Sequence, residues 1–278
     1  MKRNKFLKIA VCLLALLCLF SACKRQPEPE TPNEKQDPAP VEVVYTYKTD
    51  VDESILCTSL SESYLFLANK EHPMSSGYAP NNLAAYTGKT YYDKEVYLEE
   101  RVAKAVLAMV EEMKADGVTD IMVTSGYRSY AYQKNLYENY ILVEMNGISK
   151  EAKTYLGEDY INENYTKKGL SKLNRSDAIR VVDSYSAKAG YSEHQTGLCI
   201  DFITSTMREL DVTFEGTSAF RWLKENAHKF GFILRYPKEK EDVTGYSYEP
   251  WHYRFVGREA ATEIYEKGIT LEEFLLAR

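Results

Sequence analysis

Apolar residues recur along the chain with two different periods. Between residues 94 and 116, Val96, Val102, Val106, Met109, Val110 and Met113 return mostly at intervals of three and four, which predicts one face of an amphipathic helix. Gly117 supplies its stop. Short β-rich runs at 120–124, 198–203, 231–236 and 248–255 predict strands, and the compact apolar run 64–72 before Pro73 reads as another. Ser129 is the expected N-cap of a helix running to about Met145, with Leu136, Tyr140 and Val143 on one side. Ser218 is the expected cap of a second helix over 219–229, and its Phe220, Leu223 and Ala227 face the sheet. Helices at 259–267 and 271–276 close the chain. Strands and helices are mixed without regular βαβ alternation, so the predicted fold is α+β with a mainly antiparallel sheet. Residues 148–188 separate the Ser129 helix from the next strand; they carry helical character at 151–160 and an apolar centre at 177–183, and are either a lid or a surface elaboration.

Composition changes this picture mainly at the N-terminus. With 278 residues, 44% hydrophobic and 27% charged, the chain is an ordinary globular protein. Residues 1–8 are basic and 9–20 apolar, the layout of a secretory signal too short to span a bilayer comfortably. Removing residues 1–22, which hold four basic residues and no acid, takes the formal charge from -6 to -10. So acidic a chain excludes nucleic acid as a partner. Leu19-Phe20-Ser21-Ala22-Cys23 resembles the lipobox of bacterial lipoproteins, with Phe20 where Leu is usual; the resemblance implies that Cys23 is lipidated and anchors the chain to a membrane. Residues 24–40 are rich in Pro, Glu, Gln and Lys and cannot bury enough surface to order themselves. The expected organisation is therefore a signal peptide at 1–22, a lipidated Cys and Pro-rich tether at 23–53, and one catalytic domain at 54–278, in a monomeric protein.

The chemistry gathers in two short stretches. Gly190 to Phe202 reads G-Y-S-E-H-Q-T-G-L-C-I-D-F, and Tyr248 to Arg254 reads Y-E-P-W-H-Y-R. Two of the chain's four histidines fall here, each beside carboxylates. Catalytic zinc takes three nitrogen or oxygen ligands from the protein and keeps a fourth position open. His194, Asp201 and His252 fill those three places, and Glu249 is left as an unligated general base. His72 and His228 lie outside any ligand motif and read as structural or surface residues. Cys57 and Cys199 read as small buried residues. Cys199, two before Asp201 on a strand, points to the same face as that ligand, so a metal role for it has to be weighed.

The motifs S-E-H-Q-T-G-L-x-x-D and E-P-W-H-Y-R, with Ser125-Gly126-Tyr127-Arg128-Ser129 upstream, resemble the VanY-type D-alanyl-D-alanine carboxypeptidases, zinc peptidases of bacterial cell wall. The resemblance covers roughly residue 56 to the C-terminus. It implies the same α+β fold, one Zn2+, and hydrolysis of the terminal D-alanine of peptidoglycan stem peptides. An L,D-carboxypeptidase or a D-Ala-D-Ala dipeptidase on the same zinc core, and a non-catalytic wall-binding zinc module, are the alternatives. Arg128 is expected to stabilise the oxyanion, and Gln133 and Ser192 to touch substrate. The family usually has Ala where Cys199 stands, which argues against a metal role there. The expected location is outside the cytoplasm, on the membrane and facing the wall.

Overall fold

The computed structural model describes residues 44–56, 60–61 and 63–278. The expectations for the signal, Cys23, most of the tether and Cys57 lie outside these residues. In chain order the elements are β1 (Leu83–Ala85), β2 (Tyr97–Glu99), α1 (Glu100–Ala115), β3 (Met122–Ser125), α2 (Tyr130–Glu144), α3 (Lys150–Leu156), α4 (Glu158–Asn164) and α5 (Arg175–Tyr185). They continue with β4 (Cys199–Ile203), α6 (Ser218–Asn226), β5 (Phe232–Leu234), the single turn α7 (Glu241–Thr244), β6 (His252–Phe255), α8 (Arg258–Lys267) and α9 (Leu271–Leu276).

The long apolar stripe is helical only from Glu100. Residues before it are claimed by strand pairing, since β2 lies antiparallel to β1 with Leu83 opposite Glu99. Glu99 then caps α1, its carboxylate accepting from the Val102 N–H at 3.0 Å. Val102, Val106, Met109 and Met113 are fully buried, and each such side chain contributes about 1.5 to 3 kcal/mol. Their partners come from a four-stranded antiparallel sheet in the order β3-β4-β6-β5. Successive side chains of a strand point to opposite faces. Ile200 and Phe202 of β4, with Tyr253 and Phe255 of β6, therefore join α1 and α6 in the main core. Cys199 and Asp201, with His252 and Arg254, are left on the other face, because Cys199 pairs with Arg254 and Asp201 with His252. The sheet thus separates a greasy side that stabilises it from a polar side that carries chemistry.

Several expectations need correction. The run 64–72 is not a strand: the carbonyls of Tyr64 and Phe66 accept from the Arg254 guanidinium, at 3.1 and 2.6 Å, rather than from a neighbouring strand. Ser129 does cap α2, accepting from Tyr132 N. Its buried face, however, is Gln133, Tyr137, Ile141 and Glu144, while Val143 is 65% exposed. The cap of α6 is Thr217, whose hydroxyl accepts from Phe220 N at 3.0 Å, and the helix stops at Asn226 before a 3-10 turn over Ala227–Phe230. The packed unit also begins at Tyr45, within the stretch expected to be tether. The Lys48 and Thr49 N–H groups donate to the Glu112 carboxylate at 2.7 and 2.9 Å, which fastens this segment to α1.

Residues 148–188 build a small helical layer with its own core. Tyr137 and Ile141 of α2 pack there with Ala152, Ile161, Tyr165, Ala178, Val181 and Val182. Ser149 and Asn174 cap α3 and α5. Asp177 is buried within this layer and accepts from the Tyr160 hydroxyl at 3.1 Å, from Arg180 at 2.9 Å and from Tyr165. A buried, fully partnered carboxylate of this kind fixes the layer's geometry.

His228 is structural, as its sequence position suggests. It is buried and stacks on Tyr265 at 3.8 Å between ring centroids, with Tyr45 edge-on at 5.7 Å. Burial, reinforced by neighbouring Lys229, pushes its pKa down to about 4. A folded-state value below the unfolded value of about 6.5 favours the neutral ring, so this stability is complete above pH 6.5 and is lost as pH falls toward 4. The melting temperature is expected to fall across that window, and His228→Phe to flatten the fall; an equally steep profile in the variant would assign the acid sensitivity elsewhere.

Candidate active site

Three elements bring the reactive side chains together. A 3-10 turn over Glu193–Thr196 carries His194, β4 carries Asp201 and β6 carries His252. The turn is tied from within by the Thr196 hydroxyl donating to Glu193 O at 2.6 Å, and from outside by the Gln195 amide donating to Ser75 O and Tyr78 O. Gly197 ends it at φ 69, a left-handed conformation that lets the chain double back at once into β4. Gly126 serves differently: a Cβ there would lie 2.5 Å from Tyr97 O, so only glycine permits the close approach. That approach sets the Gly126 carbonyl 2.6 Å from His194 Nδ1.

The donors converge at metal-ligand spacing. His194 Nε2 lies 3.2 Å from Asp201 Oδ2, and His252 Nδ1 lies 3.1 Å from Asp201 Oδ1. Donors about 2.0 to 2.1 Å from a tetrahedral zinc stand about 3.3 to 3.4 Å apart, and each imidazole meets Asp201 near that spacing, the two contacts falling on different carboxylate oxygens. The two imidazole rings stand edge to face at 86°, with centroids 5.0 Å apart. All three residues are buried. Burial favours the neutral imidazole, yet Cys199 and Asp201 outweigh it, raising His194 to about 8 and His252 well above its ordinary range. Burial likewise works against an Asp201 anion, but the two imidazoles hold that carboxyl well below the usual range. A metal entering this cluster displaces imidazole protons, whose charge it replaces.

Glu249 lies in the turn before β6, with Oε2 3.4 Å from His252 Nδ1. Its backbone is fixed on both sides, its N–H donating to Tyr236 O at 3.1 Å and its carbonyl accepting from His252 N at 3.2 Å. Arg128 follows the Gly126 turn, and its N–H donates to His194 O at 3.0 Å. Its charge is near enough to oppose protonation of His194, and its Nε is buried without a hydrogen-bond partner among the described residues. Gln133 is buried, and its amide nitrogen donates to Ala187 O at 2.7 Å, tying α2 to the end of the 148–188 layer, while its Oε1 has no partner among the described residues. Ser192 is buried directly before the His194 turn.

Cys199 is a free, buried thiol, and it lies with both imidazoles inside a span of 4.8 Å. Burial raises its pKa, but His194 and His252 lower it further, to about 7. Asp201 stands 3.2 and 3.1 Å from the two imidazoles and is the third donor expected from the sequence, while the Cys199 sulfur belongs to the same cluster as a further candidate donor. Sequence reasoning gave no role to Glu193, Arg235 or Arg254, which form a buried ionic cluster behind His252. One signal was available, since Arg254 alternates with His252 and must share its face.

An α+β domain presenting His, Asp and His donors at tetrahedral spacing beside an additional carboxylate defines the class of metallohydrolases with an open coordination site. The family model for VanY, D-alanyl-D-alanine carboxypeptidase, matches residues 95–258. The chain is 34% identical over 217 residues to the putative carboxypeptidase YodJ of Bacillus subtilis (strain 168), covering 77% of this chain and 67% of that protein. The structure of the LdcB LD-carboxypeptidase superposes with a TM-score of 0.60 at 32% identity, over 75% of this chain and 84% of that one. A mutant of the vancomycin resistance D,D-pentapeptidase VanY from a VanB-type cassette, in complex with Zn(II), does so with 0.57 at 30% identity, over 77% and 99%. The chain spans about two thirds of the length of three of the curated relatives it matches. It belongs to the VanY D-alanyl-D-alanine carboxypeptidase family and shares that family's α+β fold.

Proposed function

We propose that this chain is a zinc-dependent carboxypeptidase that hydrolyses the terminal D-alanine from peptidoglycan stem peptides. The observation that carries the reading is the convergence of His194 Nε2, the Asp201 carboxylate and His252 Nδ1, with Glu249 Oε2 3.4 Å from the last of these. His194, Asp201 and His252 hold the ion. Zinc, when bound, supplies a Lewis acid that polarises a carbonyl and brings the pKa of water to about 7. Glu249 takes up the proton released during attack and returns it to the departing amine, which keeps the amine from leaving as an anion. Arg128 offers its planar array of N–H donors to the oxygen that gains charge. Gln133, through an Oε1 without a partner among the described residues, and Ser192, close before His194, contribute to holding the peptide.

The same core supports a second reading as an L,D-carboxypeptidase, which the likeness to LdcB favours. Digesting defined stem peptides with and without a chelator, and reading the products by mass, separates the possibilities. Shortening of a pentapeptide by one residue marks D,D-activity, shortening of a tetrapeptide by one marks L,D-activity, and loss of two residues at once marks a dipeptidase. No chelator-sensitive cleavage of any of them would leave only a wall-binding role.

The basic and apolar start of the chain and the Leu19 to Cys23 stretch support a location outside the cytoplasm, with the lipid on Cys23 anchoring the domain beside the wall. No helix among the described residues is long and apolar enough to cross a membrane. Cys23→Ala is expected to move the protein from the membrane fraction to the soluble one; unchanged retention would remove the lipid anchor from the proposal.

A further inference from the structure

Two buried polar atoms behind the metal cluster face one another without partners. His252 turns Nδ1 toward Asp201 Oδ1 and Glu249 Oε2, at 3.1 and 3.4 Å. Its other nitrogen, Nε2, is buried and makes no hydrogen bond among the described residues; neither does Glu193 Oε2, which lies 3.6 Å from it. Buried polar groups are nearly always satisfied, so a facing pair just beyond hydrogen-bond range calls for a reason.

The other oxygen of Glu193 is fully committed. Glu193 Oε1 accepts from Arg235 Nε at 2.7 Å and from an Arg254 guanidinium nitrogen at 2.7 Å. Arg235 in turn grips both oxygens of Glu272, at 2.9 and 2.6 Å. Arg254 reaches the carbonyls of Tyr64 and Phe66. Two arginines and two carboxylates make a cluster that is neutral as a whole, in which Glu193 is an anion held at one oxygen and free at the other. It cannot swing to the metal position without abandoning both arginines. It can only present Oε2 to His252.

His194 shows what such a partner does. Its Nδ1 is 2.6 Å from Gly126 O, an acceptor only, so Nδ1 keeps a proton and Nε2, beside Asp201, is the nitrogen left to give its lone pair to a metal. The two rings are wired in opposite senses, one by a backbone carbonyl and the other by a carboxylate. A carboxylate behind a ligand imidazole fixes its tautomer and raises its basicity.

Resting on the zinc reading above, we propose that Glu193 is a positioning residue that holds His252 in the tautomer protonated at Nε2, so that the Nδ1 lone pair is aimed at the metal. The Arg235 and Arg254 pair is the clamp that keeps Glu193 in place for this.

The test compares zinc affinity, measured by chelator competition, in the unsubstituted protein, Glu193→Gln and Glu272→Gln. Both substitutions remove one carboxylate from the same buried arginine cluster, but only Glu193 faces His252. Glu193→Gln is expected to weaken zinc binding about 10 to 100-fold. Glu272→Gln is expected to lower the melting temperature with zinc affinity unchanged. Equal effects of the two on zinc affinity, or no effect of Glu193→Gln, would overturn the proposal. A readout on the unsubstituted protein covers the case in which Glu193→Gln does not fold. With histidine labelled by 15N, long-range proton correlations of the zinc-loaded protein report which nitrogen of each ring carries hydrogen. His252 protonated at Nε2 is expected, and metal on Nε2 would overturn the assignment. Failure of the unsubstituted protein to bind zinc would sink the zinc reading and this proposal together, whereas zinc binding that ignores Glu193 sinks this proposal alone.

Discussion

Glu249→Ala is expected to fold, to bind zinc as the unsubstituted protein does, and to lose hydrolysis by about 10² to 10⁴-fold, the usual worth of general acid–base catalysis. The separation of metal from activity follows from where Glu249 sits. Its backbone is held by Tyr236 O and by its own bond to His252 N, neither of which involves the side chain. The three donors do not need it, because Asp201 already reaches both imidazoles at 3.1 and 3.2 Å. What the substitution removes is an acceptor for the proton released in attack, and with it the return of that proton to the amine. His252→Ala is the companion measurement. It deletes one of three donors and is expected to abolish metal binding and activity together. Metal content by elemental analysis, beside turnover on a stem peptide, distinguishes the two. Near-normal turnover in Glu249→Ala would take the base out of the mechanism.

The gathering of the candidate donors and base was legible because they lie in two contiguous motifs, and strand alternation puts Asp201 and His252 on one face. His194, Asp201, His252 and Glu249 occupy the cluster expected of them. The same local logic found α1, β4, β6 and the Ser129 cap. It failed where distant segments compete for a side chain. The buried face of α2 was misread because Tyr137 and Ile141 pack on a layer built by residues 148–188, and helical periodicity alone cannot say from which side such a layer arrives. Residues 64–72 carry a strand-like pattern, but Arg254, some 190 positions away, takes their carbonyls. Glu193 went unread for a similar reason. Its partners lie 42 and 61 positions away, and a lone acid beside a histidine motif does not announce two arginines. Cys199 is buried, as its small size suggests, and strand alternation puts it on the Asp201 face, where its sulfur lies within 4.8 Å of both imidazole donors.

Arg128→Ala is expected to keep the fold and the metal and to lower kcat by about 10² to 10³-fold, the range seen when one oxyanion donor is removed. Arg128 emerges from a turn fixed at Gly126, and its own N–H is spent on His194 O at 3.0 Å, so the side chain leaves a backbone with little freedom. Its buried Nε has no partner among the described residues, and its charge already acts on His194. A guanidinium in that position is preorganised: no reorientation is required when negative charge develops nearby, and low polarity around it strengthens the interaction. Arg128→Lys tests the geometry apart from the charge. Lysine keeps the cation but presents a point charge on a flexible stem in place of a planar fork, so it is expected to recover only part of the loss. The decisive comparison is between kcat and KM. A donor that acts on the developing oxyanion lowers kcat and kcat/KM together, whereas one that merely grips the peptide raises KM and leaves kcat alone. The second pattern would return Arg128 to a binding role and leave the charge of the transition state to other groups in the site.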